Sequence, residues 1–387
     1  MKPNLTLPAL GLALFATLSL GRAQAATTVK LASISALSGP VSNLGLQMKN
    51  GAQLAVNEMK AEFAKAGMTL SLVAYDDQAD PATGTSAARR IAADKTVLGL
   101  VGPLTSGVAI PASQALAASH VPLVTPTATS EKVTDRGLAN VNRVCARDDA
   151  QGSAGGNYVV GTLKAKKVYV LNDKTPYGQG LAAEAEKAMK AGGASIVQSE
   201  GIDAQERDFT AIITKIQTLK PDAVYFGGLY GQIGQFVRQL RDKGVSIPVM
   251  GGDGLDSPDL LKLAGTGATN IYFTSLSPDL SSMSNAKNIA ALYRKTFGID
   301  MQGTAVMSYD SAKILLQGIL NAYKANGNKV PSREQVETAV RKGKFSGLLT
   351  GPVSFDKNGD RTSAQMYIVG IKDGKRTAAG TVNISRK

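Results

Sequence analysis

Residues 98–129, LGLVGPLTSGVAIPASQALAASHVPLVTPTAT, hold an apolar run, a Gly-Pro break, a helical pattern and a second apolar run, in that order. The runs at 98–101 and 122–125 are short, continuous and bounded by turn residues, as strands buried on both faces are. The pattern at 108–118 has the length of a helix. Strand, helix and strand in this arrangement predict a parallel βαβ unit. Hydroxyl residues follow each predicted strand: Thr105-Ser106-Gly107 opens the helix, and Thr127-Ala128-Thr129 comes after the second strand. Open parallel sheets bind ligands just past their strand ends, and a helix start offers backbone N–H groups to an anion. Ser106 and Thr129 are therefore candidate anion contacts, although Ser and Thr cap helices far more often than they bind ligands.

The same alternation runs outward from this stretch. Upstream, strands are expected at 29–35 and 70–75 and helices at 47–64 and 83–93, with Ala52, Ala55, Val56 and Met59 at helical spacing. Downstream, the polar stretches 127–137 and 147–152 flank a short apolar run at 141–145, and together they read as a boundary between lobes. A second series then repeats the first, with helices at 154–163, 180–191, 209–219 and 233–243 among strands at 168–172, 196–198, 223–226 and 248–250. A strand at 271–274 and a polar segment at 275–284 precede helices at 286–296, 305–325 and 333–342, which are expected to return to the first lobe. The tail predicts a hairpin of 353–355 with 366–371 around Asp356-Lys357-Asn358-Gly359-Asp360, since Asn-Gly favours a tight turn. The expected fold is α/β: two doubly wound parallel-sheet lobes joined by a multi-strand hinge. Residues 26–146 and 276–352 are assigned to the N-terminal lobe, and 147–275 and 353–387 to the C-terminal lobe.

Residues 1–25 read as an export signal: Lys2 gives a positive start, an apolar run follows, and Ala23-Gln24-Ala25 is the kind of site a signal peptidase cuts. Cleavage after Ala25 would release a periplasmic or secreted chain. The single cysteine, Cys145, can form no intramolecular disulfide and is expected to be a small core residue. The net charge is +13, and removing Lys2 and Arg22 with the signal lowers it by two. The basic residues are dispersed, with Lys164, Lys166 and Lys167 among the longest clusters, so a solubilising surface is expected rather than a nucleic-acid footprint.

Catalytic chemistry finds little to work with. The lone histidine, His120, precedes a strand and reads as structural. No Gly-x-Ser-x-Gly elbow occurs, and one histidine and one cysteine cannot build a metal site. The loop 356–360 lacks the later glutamate of a calcium loop, because Tyr367 stands there. Gly178-Gln179-Gly180-Leu181-Ala182-Ala183 matches a dinucleotide fingerprint, with Glu200 downstream, but five residues separate it from the strand that ends near Asn172. A glycine-eased helix start is the preferred reading, and neither a cofactor nor a metal is expected. In the second lobe, Tyr177 and Asp253 follow predicted strands and set a carboxylate opposite the hydroxyls of the first.

In order along the chain stand Ser38-Gly39-Pro40 with Asn50-Gly51-Ala52, Tyr75-Asp76-Asp77 with Asp80-Pro81, and Gly102-Pro103-Leu104. Arg143 with Asp148 and Gln151-Gly152 follows, then Asp173-Lys174 with Tyr177-Gly178-Gln179-Gly180, Gly227-Gly228, and Phe355-Asp356 with Gly359-Asp360. This set resembles the leucine/isoleucine/valine-binding proteins of ABC transporters, the branched-chain amino-acid-binding family of type I periplasmic binding proteins, over nearly the whole mature chain. The resemblance implies that Ser106, Ala128 and Thr129 hold a ligand carboxylate. It implies that Asp253, where some relatives carry glutamate, holds the ammonium, with Tyr177 packed beside it. Aromatic residues of the family's side-chain pocket stand replaced by Leu44, Leu229 and Thr304, and its disulfide pair by Ala79 and Thr105.

The function so implied is capture of an aliphatic, branched-chain-like amino acid between the lobes and delivery to a membrane permease by a non-enzymatic, monomeric protein. The rival cargoes are an amide, urea or aromatic acid on the same scaffold. An exported nucleotide-dependent oxidoreductase, carried by the Gly178 motif, and a sensor domain with a membrane partner are the readings from other classes.

Overall fold

A computed structural model describes residues 26–283 and 285–385; the expected signal peptide lies outside the described residues. In chain order the elements begin with β1 (Thr27–Ser35), α1 (Ser42–Lys65), β2 (Met68–Asp76), α2 (Pro81–Ala93), β3 (Val97–Val101), α3 (Ser106–Ala117), β4 (Leu123–Thr125) and β5 (Val141–Arg143). Next come α4 (Asp148–Gly161), β6 (Lys167–Asn172), α5 (Pro176–Ala191), β7 (Ser195–Gly201), α6 (Thr210–Leu219), β8 (Ala223–Gly227), α7 (Tyr230–Asp242), β9 (Val249–Gly251), α8 (Asp259–Ala264) and β10 (Ile271–Ser275). The chain ends with α9 (Lys287–Phe297), α10 (Gly303–Ala325), α11 (Arg333–Lys342), β11 (Lys344–Phe345), β12 (Val353–Ser354), β13 (Ser363–Lys372) and β14 (Lys375–Ser385).

The first sheet has the order β2-β1-β3-β4-β5 and is parallel throughout. The second has the order β14-β13-β10-β9-β8-β6-β7, parallel except for the antiparallel β13 and β14 at one edge. Both sheets are covered on two faces. Val29 and Leu31 of β1 belong to one core while Ala32 and Ile34 belong to another, and Val168 and Val170 of β6 are separated in the same way from Tyr169 and Leu171. Burial on both faces is what makes these strands read as continuous apolar runs rather than as alternation. Helix α10 packs along α1 and against β3 and β4, so the chain returns to the first sheet after β10.

Three expectations are corrected. Helix α4 begins at Asp148, six residues before the expected start, so the polar stretch at 147–152 is its first turns. Asp148 and Asp149 suit the positive end of the helix dipole, and Asp148 and Gln151 are fully buried. Polarity there belongs to the buried first turns of the helix. Helix α5 begins at Pro176, capped by Thr175, whose hydroxyl oxygen accepts from Gly178 N at 3.1 Å. Gly178 therefore lies inside the first turn, where a Cβ would sit 2.2 Å from Asp173 Oδ1 and 2.5 Å from Gly227 O. Close packing of helix on strand end is the physical reason for that glycine.

The tail hairpin differs as well. Val353 and Ser354 pair with Lys344 and Phe345, whereas β13 pairs with β10 and with β14. The β13–β14 turn is Asp373-Gly374, both at positive φ, a two-residue hairpin turn. The 356–360 loop still closes tightly, with Asp356 N donating to Asp360 O at 2.8 Å. Strand β14 and helix α8 lie outside the elements expected from sequence, because exposed or short elements carry little periodic signal.

Candidate functional site

Strand order reverses between β1 and β3 in one sheet and between β6 and β8 in the other. Loops diverge at such switch points and leave a crevice. Here the two crevices face each other. The loops after β1 and β3 supply Pro40, Val41, Leu104 and Thr105 to a shared cavity, and those after β6 and β8 supply Asp173, Thr175 and Leu229. Its volume is about 300 Å³, at the small end of small-molecule sites.

Hydroxyls stitch the first lobe's two rim loops together. Thr125 Oγ1 donates to Pro103 O and Thr127 Oγ1 to Leu104 O, each at 2.8 Å. Ser130 N donates to Ser106 Oγ at 3.1 Å. Because Ser106 Oγ accepts that bond, its own hydrogen stays available for an anion. Ser106 is also the first residue of α3, among N–H groups that have no partner within the helix. From below, Arg143 Nη1 donates to Ala128 O at 2.9 Å and Ser130 O at 2.8 Å, fixing the loop after β4.

The opposite wall is acidic. Tyr177 hydroxyl donates to Asp253 Oδ1 at 3.1 Å and accepts from Gly254 N at 3.0 Å. Burial pushes Asp253 up to about 7, against the opposing pull of Gln151 and Tyr177, which favour the ionised form. Burial and the Asp253 charge also raise Tyr177, so the phenol stays a donor at neutral pH.

The lobes meet around this cavity. A Cβ on Gly231 would come within 3.0 Å of Pro40 O, and one on Gly107 within 3.5 Å of Pro176 Cδ.

Of the eight residues expected at the site, Leu44, Ser106, Tyr177, Leu229, Asp253 and Thr304 line the cavity. Ala128 and Thr129 are fully buried behind the lining, where the Thr129 hydroxyl favours the ionised form of Asp148. Pro40, Val41 and Leu104 extend the apolar wall, and Gln205 and Arg207 reach it from the loop after β7. Sequence reasoning assigns no role to these, nor to Asp148 and Gln151. His120, at positive φ just after α3, has Nδ1 3.3 Å from Glu337 Oε1, and Cys145 is buried. Among the described residues no cluster of three or more His, Cys, Asp or Glu is placed to hold a metal ion.

The family model described as periplasmic binding protein matches residues 28–376. The Leu/Ile/Val-binding protein BraC3 of Rhizobium johnstonii is 37% identical over 346 residues, 89% of this chain and 92% of that protein. Leu/Ile/Val-binding protein homolog 1 of Brucella abortus is 34% identical over 84% of this chain and 85% of its own length. Among solved structures, the branched-chain amino acid transporter substrate-binding protein LivJ of Streptococcus pneumoniae, in complex with isoleucine, superposes with a TM-score of 0.83 at 29% identity. That match covers 92% of this chain and 100% of the other. A solute-binding protein of R. palustris in complex with benzoate gives 0.81 at 21% identity, over 93% and 98% of the two chains, and shares the fold. Two parallel-sheet lobes closing on a small cavity, together with these matches across most of its length, place the chain in the periplasmic binding protein family, among the Leu/Ile/Val-binding proteins.

Proposed function

We propose that this protein captures an aliphatic, branched-chain-like amino acid between its lobes and delivers it to the membrane permease of an ABC transporter. The carrying observation is the complementary polarity of the two cleft walls. Ser106 and the α3 N-terminus offer donors on one lobe, and Asp253 with Tyr177 offers a carboxylate on the other. A zwitterion satisfies both walls at once through charge-assisted hydrogen bonds. Thr129 supports the carboxylate end from behind, through the loop held by Arg143. Leu44, Leu229 and Thr304, with Pro40, Val41 and Leu104, leave a side-chain end that is largely aliphatic.

Closure follows from the same arrangement. A ligand shifts the lobes only by contacts that it makes in the shut state and lacks in the open one, and here each lobe holds half of the polar contacts. The reading is capture without bond-making, by an exported monomer working outside the cytoplasm. A cargo with no amino group, such as an aromatic acid, would set a second negative group in a cavity already lined by Asp253.

Calorimetric titration of the mature protein with leucine, isoleucine and valine, other amino acids, small amides and aromatic acids tests this. Aliphatic amino acids should bind, and the pair Ser106→Ala with Asp253→Ala should abolish the heat. Unchanged affinity in the double variant would sink the site assignment.

A further inference from the structure

Beneath the acidic wall lies a second carboxylate that capture as described does not use. Asp148, the first residue of α4, is fully buried, and the donor facing its oxygens, the Thr129 hydroxyl, stands outside strict hydrogen-bonding geometry. Thr129 Oγ1, Gln151 Nε2 and the Tyr225 hydroxyl are likewise buried without such a bond. These groups converge for a structural reason. Asp148, Gln151 and Gly155 share one face of α4, and a Cβ on Gly155 would stand 3.1 Å from the Tyr225 hydroxyl. Gln151 Oε1 in turn accepts from Asp253 N at 3.4 Å, so the face of α4 that carries Asp148 backs directly onto the turn that carries Asp253.

Among the described residues no cation is dedicated to this pair. Arg143 of β5 is the basic group facing Asp148, but its Nε and Nη2 go to Asp360 Oδ1, its Nη2 also to Thr134, and its Nη1 to the carbonyls of Ala128 and Ser130. The other ionisable groups facing the pair are Glu131 after β4, Cys145 after β5, Tyr177 of α5, Tyr225 of β8 and Asp256 beside Asp253. Burial raises Cys145, Tyr177 and Tyr225, so all three are neutral near pH 7. Glu131 adds negative charge, whereas Asp256 is paired with Arg376 Nη1 of β14 at 2.5 Å. With Asp148 fully buried and Asp253 on the cavity wall, neither having a cation of its own, the two carboxylates do not both ionise readily.

We propose that Asp148 and Asp253 share one proton in the open cleft, and that an ammonium captured at Asp253 expels this proton to solvent. The inference rests on the amino-acid reading. The exchange balances: a carboxyl O–H gives its proton to water, and the ligand's positive charge takes its place, so the buried site keeps its net charge. Burial first, and then the charge of Asp253, drives Asp148 well above the usual carboxylate range, while Asp253 sits near 7. Like carboxylate dyads elsewhere, the two titrate as a unit. An added positive charge lowers the pair's affinity for a proton, so ligand affinity rises with pH while the free pair is still protonated. The slope reaches at most about tenfold per pH unit, and it flattens once the free pair is ionised.

The test is calorimetry of the mature wild-type protein with leucine near pH 6.5 in phosphate and in imidazole, whose ionisation enthalpies differ. The apparent binding enthalpy should differ between the buffers by an amount corresponding to about one released proton. In Asp148→Asn proton release should be smaller, and affinity should level off at a lower pH than in the wild type, because only burial and Asp256 then raise Asp253. Identical wild-type enthalpies in the two buffers, or the same proton release in the variant, would overturn the inference while leaving amino-acid capture standing. Absence of binding heat with every amino acid would overturn both, which keeps the two failures apart.

Discussion

Arg143 Nη2 and Asp360 Oδ1 lie 2.6 Å apart with both side chains buried, where the segment leaving the first sheet runs beside the one leading to β13. Asp360 also takes Arg147 Nη1 at 3.0 Å and the Thr134 hydroxyl. One carboxylate thus ties two interlobe connections and the loop after β4 into a single network.

Breaking that network should be costly. Replacing Arg143 with Met leaves Asp360 buried with part of its charge unmatched, and removal of one partner of a buried pair costs about 3–5 kcal/mol. The denaturant midpoint should fall accordingly, and ligand affinity with it, because Ala128 and Ser130 lose their donor. The pH dependence follows from Asp360. Burial would raise it, but the Arg143 charge and the hydrogen bonds of Arg143 and Arg147 outweigh burial and hold it below its ordinary 3.8. Its contribution is therefore fully present above that ordinary value and is lost as pH falls through the lower folded one. Asp360→Asn should remove this part of the acid transition in a pH titration of stability.

Gly231 is a test of closure. It sits in the first turn of α7 against Pro40 O, so Gly231→Leu places a side chain between the lobes without disturbing either core. Affinity should fall at least about tenfold, since the ligand then loses contacts made only in the shut state. Solution scattering should show no contraction on adding ligand. Full contraction in this variant would mean that the lobes close along another path.

Tyr177→Phe removes the hydroxyl that bridges Asp253 and Gly254 N. A hydrogen bond to a charged group contributes about 1.5–3 kcal/mol to stability, so the thermal midpoint should fall, and amino-acid affinity should fall with it because Asp253 loses the hydroxyl that orients it. An unchanged dissociation constant would place the ammonium elsewhere.

Cys145 should be inert in the folded protein. Burial drives its thiol far above the usual range, and only the thiolate reacts readily. Thiol titration should find one group in denaturant and essentially none under native conditions, and labelling should track global unfolding. Rapid native labelling that saturating ligand suppresses would instead report opening at the hinge.

The elements are legible in sequence because their signals are local. Fully buried parallel strands announce themselves as apolar runs, as at Val97–Val101 and Ala223–Gly227, and loops past their ends are where ligands bind. Ser106, Tyr177 and Asp253 can therefore be named from the chain itself, whereas the wall residues Leu44, Leu229 and Thr304 are named through the family resemblance, and all six line one cavity. The partner of β13 is not legible in the same way, because two turns, at Asn358-Gly359 and Asp373-Gly374, compete by the same local rule. Burial of Met366, Ile368 and Ile371 against the second sheet accompanies the observed pairing.

Sequence alone thus determined most of the strands and helices and several of the side chains that crowd the strand ends, because backbone sterics and periodic burial act over a few residues. Only the tertiary structure decided what the charged residues do. Arg143 and Asp360 are 217 positions apart, and Asp148 and Asp253 meet only where the buried face of α4 docks on the turn after β9. Whether an acid is solvated, paired or short of a partner depends on what the fold packs around it, and that environment has no local signature in the chain.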